Sequence, residues 1–92
     1  MHETGLVRNL IRRLEQAAIE AGSDRVSAVS IRLGALSQFS REHFCEHFCE
    51  EARGTLAEGA MLRIETSEDI FDPHAQDVMI ESITVDVPDG GG

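Results

Sequence analysis

The sequence predicts an α+β fold in the order α-β-α-β-β, with two helices packed on one face of a three-stranded sheet. Three observations predict it: apolar residues recur at three- and four-residue steps in two segments, they alternate at every second residue in three others, and each alternating segment is apolar on one face only. The length of 92 residues fits one domain, expected at 1–88, followed by a Gly-rich tail at 89–92 expected to be disordered.

The first helix is read between Glu3 and Ala21, where Leu6, Val7, Leu10, Ile11, Leu14, Ala17 and Ala18 form the apolar stripe. Gly22 stands where a left-handed cap would end it, and Ser23-Asp24 supply turn chemistry. From Arg25 to Leu33 the period becomes two, with Val29, Ile31 and Leu33 on the inner face. Gly34-Ala35-Leu36-Ser37 turns the chain, and Ser40 is the expected N-cap of a second helix, with Glu42 near its positive end. That helix is read to about Arg53, with Phe44, Cys45, Phe48, Cys49 and Ala52 on its buried stripe. Gly54 closes it, Met61 to Thr66 forms a second strand with Leu62 and Ile64 inward, and 67–77 is a polar loop. Val78 to Val87 is the third strand, in which Ile83, Val85 and Val87 alternate with Ser82, Thr84 and Asp86.

Composition narrows the function. The 17 acidic residues outnumber the 8 basic ones, a formal net charge of -9, so a phosphate backbone is repelled at long range and nucleic acid is a poor partner. All the basic residues are Arg; without Lys there is no Schiff-base chemistry and no Walker-type phosphate loop. Apolar runs are far shorter than the roughly 20 residues of a membrane helix, and no signal pattern opens the chain, so a cytoplasmic protein with no membrane partner is expected. No nucleophile-base arrangement is written in the sequence, and the protein is not expected to be an enzyme.

Four groups of residues have metal-ligating chemistry. Met1-His2-Glu3 offers a terminal amine, the amide of His2 and its imidazole, which can close fused chelate rings in one plane and suit Ni(II) or Cu(II). His43 and His47, four residues apart on a helix, share one face as a surface metal clip requires, although without a third ligand a solvated pair is the plainer reading. Cys45 and Cys49 are read as reduced thiols packed in the core. Asp69, Asp72, His74 and Asp77 carry oxygen and nitrogen donors in a loop of no fixed ligand spacing, as an ordinary acidic loop does.

The start Met1-His2-Glu3, the amphipathic first helix and the run GALSQFSREHFCEHFCEEARGTLAEGAMLRIE resemble the HypA/HybF family of [NiFe]-hydrogenase accessory proteins. The resemblance runs from Met1 to about Glu65 and resumes in IESITVDV; its most specific pieces are MHE, the turn Gly34 to Ser37, and RGTLAEGA at Arg53 to Ala60. It implies a nickel metallochaperone that binds Ni(II) transiently at Met1, His2 and Glu3, with His2 as principal ligand. It further implies a maturation GTPase and the hydrogenase large subunit as partners, the chain itself being a monomer or homodimer. The family carries a zinc subdomain with two CxxC pairs between the second and last strands, whereas this chain has no Cys beyond Cys49 and a short loop, 67–77, in that place. No structural zinc is therefore expected. A zinc-less paralogue acting as a protein-interaction module without metal delivery is the alternative.

Overall fold

A computed structural model describes residues 2–86, with side chains from Gly5 onward. Its elements are α1 (His2–Glu20), β1 (Val26–Leu33), α2 (Arg41–Glu51), β2 (Met61–Thr66) and β3 (Val78–Val85). The order and class are those expected from the sequence. Val87 and the tail 89–92 lie outside the described residues, and α2 passes into turns after Glu51 rather than continuing to Arg53.

The sheet is mixed, in the order β2-β1-β3. β1 runs parallel to β2, with Val29 opposite Leu62 and Ile31 opposite Ile64, and antiparallel to β3. A parallel neighbour requires a crossover connection, and α2 supplies it. Because β1 is the middle strand, its inward residues Val29, Ile31 and Leu33 are fully buried, while Leu62, Ile64, Ile83 and Val85 on the edge strands are only half-buried. The helices close the same face with Val7, Leu10, Ile11, Leu14 and Ala18 from α1 and Phe44, Phe48 and Ala52 beside them. The other face of the sheet is polar apart from Ala28, Met61 and Met79, and carries an Arg32–Glu81 ion pair at 3.9 Å.

Two register shifts break the simple alternation. Ser27 is extra in β1 between the pairs Val26/Val85 and Ala28/Thr84, and Glu81 is extra in β3 between Ser82 and Ile80. Each bulge moves the inward phase by one residue, which is why Val26 and Val29 are both buried and why Val78 and Ile80 share a face with Ile83 and Val85.

The cysteines correct an expectation. Phe44, Phe48 and Ala52 are buried as read from the sequence, but Cys45 is half-buried and Cys49 is exposed. Successive helical residues are rotated by about 100°, so a residue one step beyond each phenylalanine points along the flank of α2 and not into the core.

Both helices run against β1, and hence in the same direction. Arg8 on α1 donates from Nε to Glu51 Oε1 on α2 at 2.6 Å, and two turns further on Glu15 accepts from the backbone N–H of Leu56 at 3.3 Å. One end of the molecule therefore gathers the start of α1, the start of α2 and the loop 67–77. That loop is fastened there by backbone bonds from Gly34 to Asp77 (2.9 Å), from Leu36 to Ala75 (2.7 Å) and from Ser67 to Leu33 (2.9 Å). A side chain at Gly34 would collide with the Ala75 carbonyl, so the close approach requires glycine. The opposite end closes with Gly22 in the left-handed region at φ +76° and with Ser23, whose buried hydroxyl lies between the carbonyls of Arg25 and Asp86. No helix among the described residues is long and apolar enough to cross a membrane.

Candidate metal centre

Of the expected N-terminal ligands, Met1 lies outside the described residues, and His2 and Glu3 are described only as backbone in the first turn of α1. The helix starts at His2, and the first four N–H groups of any helix have no acceptor within it. The amide of His2 is therefore uncommitted to the helix ladder.

The histidines of α2 are brought together. Ser40 caps the helix with extended backbone and accepts from the His43 N–H at 3.1 Å, which fixes His43 in the first turn. His47 follows one turn later, and the two Nε2 atoms are 3.0 Å apart. Phe39 lies against both rings, with centroids 5.8 Å from His43 and 6.1 Å from His47. The sequence reading passed over Phe39. It directly precedes the cap and meets Phe44 edge-on at 5.3 Å, which is the staple between the residues flanking a helix start. An apolar residue immediately before Ser40 with Phe44 four residues beyond it was the available signal. Phe39 and Leu6 of α1 also line one groove, so the histidine pair stands near the α1 half that begins at His2.

The other candidates are turned to ordinary structural work. Asp69 accepts from the Phe71 N–H at 3.0 Å and Asp72 from the His74 N–H at 2.8 Å, so both carboxylates hold turns of their own loop. His74 Nδ1 meets Asp77 Oδ2 at 2.9 Å. Burial pushes the Cys45 thiol up, with the neighbouring Cys49 adding to the shift. Among the described residues, no group of three or more His, Cys, Asp or Glu side chains is gathered around a common point.

A family model described as "Hydrogenase/urease nickel incorporation, metallochaperone, hypA" matches residues 1–85. Hydrogenase maturation factor HypA of Chloroflexus aurantiacus is 42% identical over 65 residues, covering 71% of this chain and 57% of that protein. The factor of the same name from Salmonella typhimurium is 41% identical over 70 residues, covering 74% and 58%. The chain thus spans little more than half the length of these curated relatives. Among solved structures, the solution structure of the Ni metallochaperone HypA from Helicobacter pylori superposes with a TM-score of 0.76 over 90% of this chain and 96% of that one. At 15% identity this likeness speaks for the fold alone.

Proposed function

The chain belongs to the HypA family of nickel-incorporation metallochaperones, and from that premise we propose that it captures Ni(II) at Met1-His2-Glu3 and passes it on in hydrogenase maturation. The observation that carries this reading is the reach of the family match, which begins at residue 1 and so includes the candidate ligands. Its proposed partners are a maturation GTPase and the hydrogenase large subunit, by the same kinship.

The donors are the amine of Met1, the amide and imidazole nitrogens of His2 and, as a weak additional ligand, the Glu3 carboxylate. Fused chelate rings through adjacent backbone nitrogens favour the square plane that Ni(II) accepts. Loss of the His2 amide proton breaks no bond of the helix ladder, because α1 starts at that residue. Ligand nitrogens must shed protons to coordinate, so acid weakens binding and drives release. Ordering a terminal segment around the ion costs conformational entropy, which keeps affinity modest and suits a carrier. In the proposed form 1–88 is one domain that works without structural zinc: the chain has two cysteines, both on α2, where a tetrahedral site needs four ligands.

Calorimetric titration of Ni(II) into the untagged chain, beside its His2→Ala variant and a form with residues added before Met1, tests the reading. Physiological salt is needed, because a net charge of -9 attracts any cation at low ionic strength. We expect both changes to remove one equivalent of bound nickel. If neither alters affinity or stoichiometry, the chain is an interaction module that kept the family's partner surface without metal delivery.

A further inference from the structure

We propose that His43 and His47 form a two-imidazole clip for a divalent transition-metal ion of the Ni(II) class, a site whose ligands are other than Met1, His2 and Glu3. The inference rests on the geometry of α2 and stands whether or not the N-terminal site binds nickel.

The separation of the nitrogens is the first argument. An ion held by two imidazoles at about 2.0–2.1 Å, with an angle between square-planar and tetrahedral values, places the ligand nitrogens about 2.8–3.4 Å apart. The Nε2 atoms of His43 and His47 are 3.0 Å apart, with ring centroids at 4.6 Å and planes inclined by 58°. Spacing of four residues puts both side chains on one helical face, so the clip is built by the helix itself.

Pre-organisation is the second. Phe39 is almost wholly buried, held by its edge-on contact with Phe44, and lies against both imidazoles as a fixed apolar wall. The Ser40 cap fixes the backbone at His43. Less ring freedom is then lost when an ion binds. His43 is exposed and His47 half-buried, so an ion in solvent can reach the pair. Exposed Glu42, Glu46 and Glu50 on the same helix add a field that favours a cation.

The proton balance is simple. A neutral pair sharing an Nε2 contact has one Nε2–H donating to the other ring's lone pair, whereas coordination needs a lone pair on both. The ring that carries Nε2–H gives up that proton, to its own Nδ1 or to solvent, as the ion binds. Imidazole pairs suit Ni, Cu and Zn and discriminate against Mg and Ca, which prefer oxygen. Because α1 and α2 run in the same direction, the clip lies at the end of the molecule where α1 begins, and an ion is taken up and given away through that one end.

The test is Ni(II) titration of the full chain at physiological salt, read by calorimetric stoichiometry and by the side-chain NMR signals of His43 and His47. The variants are His2→Ala, the double variant His43→Ala with His47→Ala, and His43→Gln with His47→Gln as a second form that keeps polar side chains; far-UV circular dichroism checks that each folds. We expect His2→Ala to keep one equivalent that still perturbs the His43 and His47 signals, and both double variants to lose that equivalent. Loss from the double variants with no change in His2→Ala would uphold the clip and overturn the N-terminal reading. Wild-type stoichiometry in the folded double variants would overturn the clip. So would a single ion in the wild type that His2→Ala abolishes while the α2 histidine signals stay unmoved.

Discussion

The two ends of this molecule use polar residues in different proportions. At the end where α1 finishes, Ser23 lies buried between two carbonyls, Val26 donates to Leu56 at 2.8 Å, Asp86 donates to Arg25 at 3.1 Å, and Glu15 takes up the N–H of Leu56. Each of these groups satisfies backbone. At the end where α1 starts, Ser40, Asp69 and Asp72 also bond backbone, but other side chains meet one another: His43 with His47, and His74 with Asp77. Exposed Ile70 and Phe71 stand on the loop beside them. One end is thus closed largely by bonds to backbone, while the other adds contacts between donor side chains, among them those of the proposed clip.

The largest effect should come from the core that joins the ends. Phe48→Ala removes a buried ring from the core beneath α2 and should cost about 3–5 kcal/mol in denaturant unfolding, with nickel stoichiometry per folded molecule unchanged. A loss below about 1 kcal/mol would mean that α2 presents another face to the sheet. Ser23→Ala tests the contrast from the closed end: losing the buried hydroxyl that bonds the carbonyls of Arg25 and Asp86 should cost about 0.5–1.5 kcal/mol and leave nickel binding untouched. A changed nickel isotherm in that variant would show that the two ends are coupled. The smallest effect distinguishes the thiols on the flank of α2. Burial raises the Cys45 pKa, so at mildly alkaline pH less of it is thiolate, and alkylation followed by peptide mass spectrometry should label exposed Cys49 first. Equal rates would place both thiols in the same environment.

Much of this architecture is legible in the chain because its periodicities are clean. The stripe from Val7 to Ala18, the alternation of Val29, Ile31 and Leu33, and the cap at Ser40 each declare an element, and their order declares the class. The bulges at Ser27 and Glu81 are not legible, since strict alternation assumes paired strands that advance in step, and only the partner strand reveals the extra residue. Cys49 misleads for a related reason: cysteine is commonly buried, but its angle on the helix decides here. At the histidine pair the sequence gives the spacing, whereas the 3.0 Å approach depends on rotamers held by Phe39, a residue from outside the helix. The meaning of Met1-His2-Glu3 comes from kinship, because a single histidine near a chain start carries no periodicity to read.

The middle position of β1 also makes the rim of the sheet a port for added chain. Thr66, where β2 ends, and Val78, where β3 begins, are both register partners of Leu33. The exit and re-entry points are thus separated by two strand spacings, about 10 Å, on either side of one residue. A graft whose own ends lie that close can replace the loop 67–77 without shifting a single strand pair, and each doubling of its length adds only about 0.6 kcal/mol of closure entropy. Length can vary widely at that seam while the sheet and both helices keep their registers.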